Sequence, residues 1–174
     1  VDHMANDGLT CAFECWPMGN AAEHTASTSG VTRAAQDAFS VESHRRAAEA
    51  TKNGWFKKEM VALTPEQCMG KTGLDADEGF RADSSVDALA KLRPAFSKEG
   101  TVTAGNASQI SDGAAAVLVM SEAKAKALGL KPLARIVGYG TAGVAPKELF
   151  IAPKVGIAAL LAKHGLAVKD IDLF

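Results

Sequence analysis

The stretch "TVTAGNASQISDGAAAVLVMSEAKAKALGL", Thr101–Leu130, decides how the chain is read. Nearly half of it is glycine, alanine and serine. It then becomes the apolar run "GAAAVLVM" at 113–120, and after that a charged segment. Side chains this small ahead of an apolar run have two physical readings. Either the backbone must lie close to something, or the segment is a tightly packed crossover with no ligand. The apolar run has strand length and no alternation, which predicts a strand buried on both faces. Ser121 then caps a helix over "EAKAKAL", and Gly129 closes it.

Working outward toward the C-terminus, "LARIVGY" at 133–139 predicts a second buried strand. Pro153, at a first helical position, opens "KVGIAALLAKH", and Gly165 closes it. "DIDLF" at 170–174 reads as the start of a third strand. Residues 113–174 are therefore expected to run strand, helix, strand, helix, strand, an α/β pattern that stops in the middle of an element.

Upstream, the first third reads as helical. Asn20 with Glu23 three residues later has the form of a capping box, opening a short helix that stops at Gly30. Thr32 caps a second helix over "RAAQDAFSVESHRRAAEATKN", with Gly54 just past its end. Residues 55–100 are mixed and loop-rich. "MVALTP" is a candidate short strand, "GKTGLDADEGFRADSS" is polar and turn-forming, and "VDALAKLRPAF" has one apolar face broken at Pro94.

The totals exclude several function classes. The chain has 174 residues, 19 basic against 20 acidic, for a net charge of −1. That balance leaves no electrostatic footprint for nucleic acid or an anionic membrane. No apolar run approaches the roughly 20 residues of a membrane helix. The polar start "VDHMANDGLT" lacks the apolar region of a signal peptide. Three cysteines at no framework spacing read as reduced thiols in a cytoplasmic setting.

Other patterns hint at chemistry and fall short. Gly70-Lys71-Thr72 is the tail of a phosphate-binding loop, but that loop needs a glycine where Pro65 stands. Cys11, Cys15 and His24 lack the ligand count and tight spacing of a zinc site, so no metal is expected. Each of Cys11, Cys15 and Cys68 can in principle be a nucleophile, yet none carries a local signature of one. His3, His44 and His164 read as solvated or helix-end imidazoles. Asp75, Asp77 and Glu78 lack the spacing of a calcium loop.

Read together, "DGLTCAF" at 7–13, "MGNAAE" at 18–23, "AKLRPAFSKEGTVTAGNASQISDGAAAVLVMSEAKAKALG" at 90–129, "LARIVGYGTAGVAP" at 133–146 and "GLAVKDIDLF" at 165–174 resemble the thiolase family. Thiolases are acyltransferases that make or cleave 3-ketoacyl-CoA through an acylated cysteine. The resemblance implies coenzyme A or acyl-CoA as substrate, with no permanently bound cofactor. It also implies a homo-oligomer, a dimer or a dimer of dimers. It implies that Ala104, Ala107 and Ser108 lie along the pantetheine arm of CoA, where small side chains let the backbone approach an extended amide-bearing ligand. Leu9 and Met18 match apolar contacts to the same ligand. Arg81 matches an arginine near its nucleotide end, where a permanent charge suits phosphate. For Ala114 to Ala116, close strand–helix packing is the expected reason for small side chains.

There are departures from the family pattern. Trp16-Pro17-Met18-Gly19 stands where the family often has Tyr-His-Met-Gly, Ala88 where a serine is common, and Leu149-Phe150-Ile151-Ala152-Pro153 where a Met-Gly-Thr-Gly-Pro type of segment is usual. No residue matches a catalytic cysteine, an Asn-Glu-Ala-Phe motif or a Gly-His-Pro motif, so no catalytic residue is assigned. The expectation is an α/β, partial thiolase-like fold: a helix-rich loop domain plus incomplete βαβ-type halves. Residues 1–100 would be most of a CoA-binding loop domain. Residues 101–122 would close the family's N-terminal half, and residues 123–174 would open its C-terminal half. Such a central fragment should not turn over alone. Its unpaired edges predict self-association, or partial disorder after about residue 120. A fragment of a non-catalytic, thiolase-like acyl-CoA or lipid-binding protein, and an unrelated α/β interaction domain, stay open as alternatives.

Overall fold

The computed structural model describes residues 1–70, 72–111 and 113–174. Lys71 of the Gly-Lys-Thr turn and Asp112 of the small-residue run lie outside the described residues. The chain divides into two compact units, Val1–Gln109 and Ile110–Phe174.

The first unit is built on three helices. After a single wide helical turn at Met4–Gly8, α1 spans Met18–Thr28, α2 Arg33–Lys52 and α3 Val86–Ala90. The local punctuation works as the sequence implies. The hydroxyl of Thr32 accepts from the Ala35 amide and caps α2. Gly30 and Gly54 take left-handed φ values of 65° and 70° just past the ends of α1 and α2, where a side chain would be strained. Ser85 caps α3 by accepting from the Ala88 amide. That helix stops at Ala90, four residues short of Pro94.

The capping box does not form. Helix α1 begins one turn earlier than Asn20 implies, with Pro17 in the capping position at φ −60°. The Asn20 amide donates to the Phe96 carbonyl instead. The Glu23 carboxylate leaves its own helix and accepts from the Thr101 amide (2.8 Å), the Thr101 hydroxyl (3.0 Å) and the Val102 amide (2.9 Å). Three donors at one carboxylate outweigh a single local cap.

The polar centre of this unit is Asp37, on the inner face of α2 and only 1% exposed. It accepts from Arg33 Nε at 2.7 Å and from Asn106 Nδ2 at 2.9 Å. Arg33 then donates from Nη2 to the carbonyls of Leu89 and Leu92. One buried carboxylate thus ties α2 to α3 and to the 101–109 loop. Ala21, Ala50, Leu89, Val102 and Thr103 are also buried in this unit. The ion pairs of Glu42 with Arg45 and Arg46 lie on the opposite, exposed face of α2. Hydrogen bonds from those two arginines hold the Glu42 carboxyl down at about 2. Exposed pairs of this kind contribute little to stability.

The second unit holds α4, Glu122–Ala127, and α5, Ala152–Lys163. Short, tightly wound helical segments at Pro146–Ile151 and Val168–Asp170 flank α5. Ser121 caps α4 by accepting from the Lys124 amide, and Gly129 and Gly165 close the two helices at φ 66° and 64°. Pro153 sits in the first turn of α5 as the sequence implies. Residues 138–142 run along α5: a Cβ on Gly138 would strike the His164 ring, and one on Gly156 would meet the Ala142 methyl at 3.4 Å.

The expected strands are the main difference. Among the described residues the only sheet-like pairings are three isolated bridges, Thr10 with Pro17, Leu63 with Leu74, and Pro94 with Thr103. Residues 113–120 and 133–139 form no ladder, and neither does the "DIDLF" end. Val117 is 86% exposed and Val137 74%. Ala114 to Ala116 are exposed too, so their small size reflects no close packing within this chain. A strand exists only when neighbours take its N–H and C=O groups, and these segments meet no such neighbour here.

Asp37→Ala should cost about 2–4 kcal/mol, because it removes the buried carboxylate that pairs Arg33 with the Asn106 amide. Urea denaturation followed by far-ultraviolet circular dichroism would measure this, and an unchanged midpoint would remove Asp37 from its central place.

Candidate functional site

The six residues singled out in the sequence all lie in the first unit. Leu9 and Met18 are brought together by a hairpin-like loop. The Met18 amide donates to the Leu9 carbonyl and the Cys11 amide to the Trp16 carbonyl, each at 2.8 Å. Leu9 is exposed and Met18 half-buried as the first residue of α1. The rigid φ of Pro17 starts the helix directly behind Met18. Trp16, in the same loop, packs beside His24 with ring centres 6.1 Å apart.

Ala104, Ala107 and Ser108 are exposed on the 101–109 loop. Local hydrogen bonds dictate the shape of that loop. Thr103 is fully buried. Its amide donates to Asn106 Oδ1 at 2.7 Å, and its carbonyl accepts from the Ala107 amide at 2.9 Å. Its hydroxyl accepts from the Gly105 amide. Asn106 also donates to the Thr101 carbonyl and to Asp37. The loop is therefore one helical turn pinned from within by Thr103 and Asn106 and from behind by Glu23 and Asp37.

Gly105 shows what the smallest residue is for. A Cβ there would lie 2.6 Å from Leu92 Cδ1 and 3.0 Å from Leu89 Cγ. The loop backs onto α3 at that point, and only glycine lets it come so close. The close-packing reading of the small-residue run thus holds at Gly105. Gly105 is small because of packing, whereas Ala104, Ala107 and Ser108 leave the outer face bare.

Arg81 is exposed, and its backbone amide donates to His44 Nδ1 at 3.2 Å. His44 is thus no solvated imidazole but a half-buried acceptor that fixes the 79–81 turn on α2. Gln109 Nε2 donates to the Gly79 carbonyl at 2.7 Å and joins that turn to the end of the 101–109 loop. Of the other two histidines, His3 is exposed and pairs with Asp7 at 2.8 Å, and His164 ends α5.

Sequence reasoning missed the positioning residues Glu23, Arg33, Asp37 and Asn106. A signal for one pair was there: Arg33 and Asp37 are four apart on a helix, so they share a face. That this face is buried was not legible. Neither of two concave surfaces on the chain is lined by any of the six residues. One, of about 460 Å³, is lined by Gly140, Leu149, Pro153, Gly156, Ile157 and Leu160, among others. The other, of about 420 Å³, lies between Phe56–Val61 and Leu74–Asp77. Among the described residues no group of three or more metal-ligating side chains converges, and no helix is long and apolar enough to cross a membrane.

Glu23→Gln should loosen the loop without unfolding α1. The amides of Thr101 and Val102 are expected to exchange hydrogen faster by about tenfold or more, the scale of one charge-assisted bond. Unaltered exchange at both amides would show that the loop holds itself.

Comparison with known proteins bears on this arrangement as a whole. The family model described as "Thiolase, N-terminal domain" matches residues 1–123, and that described as "Thiolase, C-terminal domain" matches residues 130–174. An acetyl-CoA acetyltransferase of Chromobacterium violaceum is 52% identical over 174 residues, covering 99% of this chain and 44% of the relative. The chain thus spans less than half the length of the curated relatives it matches. Among solved structures, the acetyl-CoA acetyltransferase of Bacillus anthracis superposes with a TM-score of 0.86 at 42% identity, over 95% of this chain and 42% of that one. Human mitochondrial 3-ketoacyl-CoA thiolase, solved in complex with CoA, superposes with a TM-score of 0.85 at 38% identity, over 96% of this chain and 41% of that one. The backbone path is that of those proteins, although the ladders are not formed. By the two family models, which between them account for nearly every residue, this chain belongs to the thiolase family.

Proposed function

We propose that this chain supplies the CoA-binding loops of a thiolase of the acetyl-CoA acetyltransferase type, an enzyme that forms or cleaves 3-ketoacyl-CoA. The observation that carries this reading is the 101–109 loop: a rigidly pinned turn whose exposed residues include the small Ala104, Ala107 and Ser108. A thin amide-bearing ligand such as pantetheine needs a surface of this kind, flat, stiff and with its hydrogen-bonding groups within reach. A CoA complex is known for the human mitochondrial relative, which shares this backbone path. In this proposal Leu9 and Met18 make apolar contacts to the ligand. Ser108 offers its hydroxyl to a pantetheine amide, and Arg81 meets a phosphate at the nucleotide end.

The remaining parts of the proposal follow from the same reading. The acylated cysteine and its acid/base partners are supplied by sequence beyond these 174 residues, so the isolated chain binds CoA without turnover. Residues 1–100 act as most of the loop domain. Residues 101–122 close one βαβ-type half, and residues 123–174 open the other. In the longer protein, 113–120 and 133–139 then become strands of an α/β core. The whole protein works as a cytoplasmic dimer or tetramer in acyl-CoA and lipid metabolism. Pro17 and Ala88, standing where the family has a histidine and a serine, favour one second reading: a thiolase-like protein that binds acyl-CoA and does no chemistry on it.

Titration calorimetry with CoA and dephospho-CoA tests the proposal. Arg81→Ala should weaken CoA by about 1–3 kcal/mol, the loss of one charge-assisted contact, and abolish any preference for CoA over its dephosphorylated form. Equal affinities in the unaltered chain would count against phosphate recognition by Arg81. Ala104→Leu should block binding sterically while leaving the fold intact, since Ala104 is exposed. Unchanged affinity would overturn the pantetheine assignment.

A further inference from the structure

We propose that Cys11 and Cys15 form a reversible dithiol–disulfide clip at the tip of the 9–18 loop, a modification site that is independent of the CoA reading. Two observations carry it. First, the Cys15 amide donates to the Cys11 carbonyl at 2.8 Å, so residues 11–15 make one isolated helical turn. Residues four apart on such a turn have Cα atoms about 6 Å apart. This falls inside the span of roughly 4.4–6.8 Å that a disulfide bridges. The Cys11 sulfur also lies over that turn, where it accepts from the Glu14 amide at 3.5 Å. Second, Cys15 holds a left-handed φ of 54°. That conformation is strained for a side-chain-bearing residue and recurs where a function retains it.

The two thiols differ in access in the way a clip needs. Cys15 is exposed and Cys11 buried. With a low-molecular-weight disulfide as oxidant, the Cys15 thiolate attacks one sulfur and releases the other half as a thiol. The buried Cys11 thiolate then attacks the Cys15 sulfur of the mixed disulfide and expels the second half. The protein loses two hydrogens and the oxidant becomes two thiols. Cys68 is the internal control. It is half-buried in the turn after Thr64, and the sequence places no second cysteine near it in that turn.

The test treats the reduced 174-residue chain with oxidised glutathione, blocks free thiols with N-ethylmaleimide and maps the peptides without reduction. The expected result is an internally linked Cys11–Cys15 peptide, two hydrogens lighter and carrying neither label nor glutathione. Dithiothreitol should return both thiols to the labelled pool. Cys11→Ser should instead trap glutathione on Cys15. In the unaltered chain, glutathione retained on Cys15, a link from Cys15 to Cys68 or to a second chain, or labelling of both Cys11 and Cys15 would each overturn the clip.

Discussion

The carboxylate of Asp37 is the contact on which the first unit depends. It is buried, and a buried charge is tolerated only where partners replace the water it has lost. Arg33 supplies one partner from the same helix. Asn106 supplies the other from a loop 69 residues away in sequence. The remaining donors of Arg33 then reach α3. Helix α2, helix α3 and the 101–109 loop meet at one carboxylate, and none of the three can shift without leaving a polar group unpaired. Glu23 does similar work from α1, holding the same loop by its first two residues.

This scaffold explains why a loop made of very small residues can still have one shape. Alanine and glycine give a backbone little to grip, so the order comes from Thr103 and Asn106 inside the turn and from the two carboxylates behind it. The outward face is then free of structural duty. A face held this way is ordered before anything meets it.

The second unit is organised differently. Its helices α4 and α5 form from local signals, whereas the apolar segments beside them lie exposed. Valines and leucines in a row favour burial, but burial needs a surface to pack on and a ladder to satisfy the backbone. The close backbone match to solved thiolases shows that the chain path alone does not require the ladder.

What the sequence determined by itself was the helix caps and stops that act within about one turn of the chain and meet no distant competitor. Thr32 and Ser121 cap their helices, and Gly30, Gly54, Gly129 and Gly165 end theirs, because these contacts run between residues three or four apart. Motif order over the whole chain also carried the family. The tertiary structure alone decided where Glu23 points, that Asp37 is buried, and that Gly105 must be small for Leu89. It also decided that 113–120 stays unpaired. Each of these depends on a partner tens of residues away or on a neighbouring strand. A local pattern records what a residue can do, and its distant partners decide which of those possibilities has the lowest free energy.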